Sequence, residues 1–314
     1  MRIGLVTDSC CDLPRDFLDQ HQIVILPITI HGNDRTFIDN RDPAATRDFY
    51  RRQAAAGVAD FESEPLSAEQ IRELFLSRLV LEFDSVFCLT VMQSRSQIFN
   101  HCSQAARTVL TEYRPIREQA HITKPFSLRV FDSANIFAGQ GLVVAEVARL
   151  ISLQAPCSEI AKHIERVTQT AQGFLMPADL GQLRHQARRK GDKSVGFLSY
   201  ALGSALDIKP VVRAYRGETT PVARIHGFNA GVEKLFSLAQ AHLERGLIAP
   251  TICVSYGGDP AVVTDMPAYQ KLKHACKQYA VQLLLCEMST TAGVNIGSGG
   301  MAIAFASEIE AVLD

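Results

Sequence analysis

Short β-branched runs alternate with segments of helical period along most of this chain, and that alternation limits the possible folds more than any single motif. Arg2–Thr7, Ile23–Ile30, Ser85–Thr90 and Leu128–Phe131 read as strands. A short helix follows Asp12. Three longer helices follow: Ala68–Leu81, with Ile71, Leu74, Phe75 and Leu79 on one face; Ser96–Tyr113, with Ile98, Cys102, Ala105, Ala106 and Val109 inward; and Gly141–Leu153. Strands that alternate with helices predict an α/β fold whose first half is a parallel, doubly wound sheet.

The second half keeps the α/β character but changes its order. Ser158–Thr170 reads as a helix and Gly173–Met176 as a short strand. Further strands are expected at Ile208–Arg213, Pro221–Gly227, Thr251–Ser255, Val281–Glu287 and Met301–Phe305, with helices at Gly231–Gly246 and Ala261–Tyr279. Arg216-Gly217-Glu218 has the composition of a hairpin turn, which predicts a mixed sheet. A length of 314 residues suits two domains, and Ala155-Pro156 marks the expected division into residues 1–155 and 156–314.

Composition removes several classes of function. Thirty-two basic against 33 acidic side chains leave little attraction for a phosphate backbone, so a nucleic-acid partner is not expected. No apolar run approaches the roughly 18 residues of a membrane span, and the first residues lead straight into a strand without a signal-peptide pattern, so a cytoplasmic protein is expected. The eight cysteines are scattered and mostly lie inside apolar segments, as buried thiols in a reducing compartment do. The adjacent Cys10-Cys11, placed in a loop, is the pair most open to reaction. No C-x-x-C or H-x-x-x-H supports a zinc site.

Ligands of open α/β sheets bind beyond the carboxyl ends of the strands. Those ends carry Asp8-Ser9, Gln93-Ser94-Arg95-Ser96, Asp132-Ser133, Ser255-Tyr256-Gly257-Gly258-Asp259 and Ser289-Thr290-Thr291-Ala292-Gly293-Val294-Asn295. The set is rich in hydroxyls and contains neither histidine nor lysine. A nucleophilic serine needs a base and a metal hydrolase needs clustered carboxylates and imidazoles, and neither pattern is present. Hydroxyls, amides and backbone N–H groups instead hold an oxygen without reacting with it. Ser94 and Ser96 also suit the capping of the following helix.

Two glycine-rich segments invite a nucleotide reading. Gly297-Ser298-Gly299-Gly300 lacks a following lysine and leads into a strand, so it is no phosphate loop of the lysine-containing type. Gly139-Gln140-Gly141 opens a helix after a strand, but Val144 stands at the third glycine position, and tight helix–sheet packing accounts for it equally well. The run Arg184–Gly191 is the basic patch, either a solvated helix end or a docking surface for an acidic partner.

Val6-Thr7-Asp8-Ser9 with Asp12-Leu13, then Ile25-Leu26-Pro27-Ile28 and Phe37-Ile38-Asp39, resemble the opening of the DegV family of bacterial fatty-acid-binding proteins. Val130-Phe131-Asp132-Ser133 with Gly139-Gln140-Gly141 fits the family's middle. Ala201-Leu202-Gly203, Leu206-Asp207-Ile208-Lys209-Pro210 and Gly293-Val294-Asn295-Ile296-Gly297-Ser298-Gly299 fit its later motifs. The resemblance covers essentially the whole chain. It implies two α/β domains enclosing a long acyl chain in an apolar tunnel, no cofactor, and a carboxylate held at strand ends. It further implies a carrier that is not itself the catalyst and that presents the carboxylate to a partner kinase.

By that resemblance Ser94 and Asn295 contact the head group, with Ser63, Glu62 and Ser9 nearby. The family's Thr-Ser-Gln-Pro loop reads Glu62-Ser63-Glu64-Pro65 here, its Ser-Gly-Thr-Tyr motif reads Ser94-Arg95-Ser96-Gln97, and its late histidine is Asn295. Two ionised carboxylates within about 4 Å repel by roughly 4 kcal/mol at an effective dielectric near 20. Glu62 therefore points away, or is protonated, or the ligand head is not a free carboxylate; Arg95 supplies a neutralising cation. A dihydroxyacetone-kinase-like phosphotransferase is the alternative, with Asp8, Asp39 or Asp132 as metal ligands. The aspartates would otherwise cap helices or brace loops.

Overall fold

The computed structural model describes residues 1–32, 35–56, 60–179, 181 and 207–313. The first-half strands are β1 (Ile3–Asp8), β2 (Val24–Leu26), β3 (Ile28–Gly32), β4 (Thr36–Asp39), β5 (Phe61–Pro65), β6 (Ser85–Thr90) and β7 (Ser127–Asp132). Four of them form the expected parallel sheet in the order β2-β1-β6-β7. The stretch Ile23–Ile30, expected as one strand, is two. Pro27 has no N–H to give a ladder, so pairing with β1 stops at Leu26 and the chain turns into a separate antiparallel sheet, β4-β3-β5. Neither that small sheet nor the helix Pro43–Ala56, which connects β4 to β5, has a counterpart among the expected elements.

The second half builds β8 (Ala171–Met176), β9 (Ile208–Tyr215), β10 (Glu218–His226), β11 (Thr251–Tyr256), β12 (Gln282–Glu287) and β13 (Met301–Ala306). They form one mixed sheet, β10-β9-β8-β13-β11-β12, in which only β11 and β12 pair in parallel. The β9–β10 turn is the expected hairpin. Arg216 and Gly217 both have positive φ, 51° and 78°, as a two-residue turn matching the strand twist requires. The single helix expected over Ala261–Tyr279 is two, Ala261–Thr264 and Pro267–Gln278, because Met266 is pushed into extended backbone before Pro267.

Strand β13 shows how this sheet seats its neighbours. Its sequence alternates large and small, and so do its faces. Met301, Ile303 and Phe305 belong to an outer core with Phe236, Leu243 and Leu272, from the helices Phe228–Arg245 and Pro267–Gln278. Ala302, Ala304 and Ala306 belong to the inner core with Val143 and Val147 of the helix Ala138–Ser152. Side chains that small let a helix buried nearly all round lie close to the sheet. That helix therefore packs against both sheets. Its glycines serve the same end: a Cβ on Gly141 would stand 2.4 Å from the Asp12 carbonyl, and one on Gly139 1.8 Å from Asn135 Oδ1. Close packing thus explains Gly139-Gln140-Gly141. Gly297–Gly300 is likewise a turn, held against Gly257 before β13.

Candidate functional site

The carboxyl ends of the parallel strands face the six-stranded sheet, and the loops after β1, β6 and β7 cross to it. After β1, Asp12 accepts from Ser255 Oγ (2.6 Å) and the Ser289 amide (2.8 Å). After β6, Ser94 Oγ donates to the Gly217 carbonyl (2.7 Å), and Arg95 donates to the Thr219 hydroxyl. After β7, Asn135 Nδ2 donates to the Ala171 and Ala214 carbonyls (3.0 and 3.1 Å).

The crossing at Asp12 is a buried polar hub. Arg41, just beyond β4, reaches Asp12 Oδ1 (3.5 Å) and the carbonyls of Leu13 (3.2 Å) and Glu287 (3.0 Å). Asp39 accepts from the Arg41 amide (3.2 Å) and from both the amide and the hydroxyl of Thr291 (2.8 and 2.7 Å). Burial raises the Asp12 carboxyl above its ordinary range, although Arg41, Ser255 and Ser289 pull it down. Burial also works against the Arg41 charge, yet Asp12, Cys286 and Asp39 hold that guanidinium above its usual value. Asp8 is pushed up to about 6 by burial, against hydrogen bonds from Val91, Gln140 and Cys10. Asp8, Asp39 and Asp132 all accept backbone N–H groups in loops, the bracing role.

The five candidates fall into three places. Ser9 is fully buried, its Oγ 3.5 Å from Thr291 Oγ1, and Asn295 Nδ2 donates to the Thr291 carbonyl (2.8 Å), so both lean on one threonine. Ser94 is exposed at the β9–β10 turn; neither serine is the N-cap, which is Gln97, and Ser96 Oγ accepts from the Ile98 amide (3.2 Å) in the turn before the helix. Ser63 and Glu62 are neighbours on the edge strand β5 and so face opposite ways. Ser63 is half-buried with Phe61 and Pro65, while Glu62 and Glu64 stand exposed, with Glu64 Oε2 2.9 Å from His31 Nε2. Strand alternation thus turns Glu62 away from Ser63. His101 Nδ1 lies 2.8 Å from the Leu66 carbonyl, tying the end of this strand to the helix after Ser94.

The hub itself escaped the sequence reading. Asp39 carries a sequence signal as part of Phe37-Ile38-Asp39 and as a candidate metal ligand, Asp12 beside Leu13, and Thr291 among the strand-end hydroxyls, but nothing along the chain joins them to one another or to Arg41. Cys10-Cys11 is corrected outright. Both residues are buried, and burial lifts the Cys11 thiol far above its ordinary range, so the pair is not the reactive one. The basic run Arg184–Gly191 and the motif residues 201–206 lie outside the described residues.

A cavity of about 340 Å³ opens beside the hub, between Leu13, Arg41, Arg47, Asp259, Cys286 and Glu287. Its rim mixes guanidinium and carboxylate groups and includes none of the five candidates. A second cavity of about 40 Å³, near Leu5, Phe83 and Ile151, is too small for more than a water or two. Neither supplies the apolar tunnel implied by the resemblance. Among the described residues no group of three or more histidines, cysteines or acids could hold a metal ion, and no helix is long and apolar enough to cross a membrane.

The fold recurs in known proteins. A DegV domain-containing protein of Xanthomonas axonopodis pv. citri is 47% identical over 308 residues, 98% of each chain. A stearic-acid-binding protein of Eubacterium ventriosum superposes with a TM-score of 0.79 at 18% identity, covering 98% of both chains. The fatty acid kinase B3 protein of Streptococcus pneumoniae, loaded with linoleic acid, superposes with a TM-score of 0.71 at 17% identity, over 98% of this chain and all of that one. The family model for "Uncharacterised protein, DegV family" matches residues 2–308. This chain belongs to the DegV family.

Proposed function

We propose that the protein binds a long-chain fatty acid without transforming it and presents the carboxylate to a partner kinase in the cytoplasm. The observation that carries this reading is the shared fold. It runs over 98% of the chain with a stearic-acid-binding protein and with a protein of the fatty acid kinase system. The site chemistry agrees, since Ser9, Ser63, Ser94 and Asn295 are neutral groups suited to holding an oxygen. The carboxyl ends of the parallel strands face the six-stranded sheet, which supports a head group held in a crevice between the halves 1–155 and 156–314. Eight free thiols, seven of them buried, suit a reducing compartment.

Hydrophobic burial dominates the affinity in this reading. A sixteen-carbon chain at about 0.8 kcal/mol per CH₂ gives a gross gain near 12 kcal/mol before ordering costs. The test is extraction and mass spectrometry of the purified protein, before and after incubation with palmitate. One fatty acid retained per chain is expected, and none after incubation removes the reading. With ATP, the protein alone should leave palmitate unchanged; acyl phosphate formed without a kinase would remove the non-catalytic part.

A further inference from the structure

Two of the candidate head-group residues, Ser9 in the turn after β1 and Asn295 in the helix Thr290–Ile296, both contact Thr291, and Thr291 is itself held from across the molecule. Its amide and its hydroxyl both donate to one oxygen of Asp39, the last residue of β4. A hydroxyl carries a single proton. Because that proton goes to the Asp39 carboxylate at 2.7 Å, the longer Ser9–Thr291 contact of 3.5 Å has Ser9 as its donor. The Thr291 carbonyl in turn accepts from Asn295 Nδ2, which fixes the Asn295 side chain along its own helix, Thr290–Ile296.

Asp39 also belongs to the sheet that carries Ser63. Ile28 of β3 pairs with Asp39 on one side and with Pro65 on the other, and Ser63 lies two residues along β5 from Pro65. One buried carboxylate therefore links the strand layer bearing Ser63 to the helix bearing Asn295. Asp39 is 3% exposed, and its carboxylate accepts from the Arg41 amide and from the amide and hydroxyl of Thr291.

We infer that Asp39 is a positioning residue for the head-group site: acting through Thr291, it sets where Asn295 and Ser9 stand relative to Ser63. The inference rests on the fatty-acid reading above. Asp39 does not itself touch the ligand, and its carboxylate would repel an ionised head group if it did. Its charge is spent on the Thr291 amide and hydroxyl instead, the kind of charge-assisted contact that holds geometry well.

Two ligands with the same tail separate positioning from mere support. Palmitate and methyl palmitate bury the same hydrocarbon, but only palmitate presents a free carboxylate. Thr291→Val removes the hydroxyl donor, and Asp39→Asn replaces an acceptor with an amide. In both, palmitate affinity should fall by about tenfold or more, as for a hydrogen bond to a charged group, while methyl palmitate changes by less than about twofold. Thr291→Ser keeps both donors and should bind like wild type. Equal losses for the two ligands would make Asp39 a purely structural brace, and unchanged or tighter palmitate binding would also overturn the inference. Should Asp39→Asn not fold, Asp39→Glu keeps the charge, moves it by one methylene and is read in the same way. Wild-type protein that binds neither ligand removes the lipid reading as well. Wild type that binds both, with the same palmitate preference in every variant, removes only the role of Asp39.

Discussion

At Asp12 the parallel sheet meets the six-stranded sheet through a buried ion pair and a set of short hydrogen bonds, whereas at Ser94 it meets the same sheet through an exposed hydroxyl and the tip of a hairpin. Both junctions lie at the carboxyl ends of neighbouring parallel strands. Their physics differs because Asp12 is buried and Ser94 is exposed. In the buried hub every polar group needs a protein partner, so losing one strands the rest. At Ser94 solvent can replace any partner, so the same kind of bond contributes little to stability and is available for exchange with a ligand.

The sharpest way to break this comparison is to remove Arg41. Arg41→Met leaves Asp12 without its cation and the Leu13 and Glu287 carbonyls without a donor. Breaking a buried pair in this manner costs about 3–5 kcal/mol. Urea unfolding should read that loss, and a change below about 1 kcal/mol, within the range of ordinary surface substitutions, would show that water reaches the hub.

Asp8 tests the same burial by pH. Its carboxyl titrates near 3.8 when unfolded and near 6 when folded. Between those values the folded state holds the extra proton, so stability falls as pH rises through the window and levels off above it. Relative to Asp8→Asn, the wild type should lose on the order of 3 kcal/mol across that interval. A stability difference that stays flat from pH 4 to 7 would mean that Asp8 is not buried as described.

A smaller loss is expected where the hub's walls touch. A Cβ on Gly293 would stand 2.6 Å from Tyr50 Oη and 2.8 Å from Phe49 Cε1. Gly293→Ala should therefore cost about 1–3 kcal/mol through overpacking, seen as a lowered melting temperature. Ser94→Ala marks the other extreme. Its stability should change by less than about 0.5 kcal/mol, as for an exposed position, while palmitate affinity falls by about tenfold. Equal effects on stability at Ser94 and Gly293 would erase the contrast between the junctions.

The legible parts of this molecule are those that repeat along the chain. Alternation in β13, Met-Ala-Ile-Ala-Phe-Ala, states a two-faced strand, and Ile71, Leu74, Phe75 and Leu79 state one face of a helix. The resemblance supplied Ser94 and Asn295 as candidates. What could not be read was local or distant. Pro27 split a strand whose apolar pattern runs straight through it. The strands β4 and β5 are short and polar, with exposed residues such as Ile38 and Glu62 on their outer face, so their period is weak. The pleat of β5 puts Glu62 and Ser63 on opposite faces of the strand, a relation that the composition of Glu62-Ser63-Glu64-Pro65 does not display.

The amino-acid sequence determined the α/β class, the parallel sheet of the first half, the mixed sheet of the second and the hydroxyl-rich chemistry of the strand ends, because period and residue type are properties of neighbouring positions. Only the tertiary structure decided that Asp39 and Thr291, 252 residues apart, share two hydrogen bonds, and that Ser94 is closed onto Gly217, 123 residues away. A hydrogen bond acts over about 3 Å and depends on angle. Which distant groups come that close depends on how the two sheets pack, and no pattern along the chain records it.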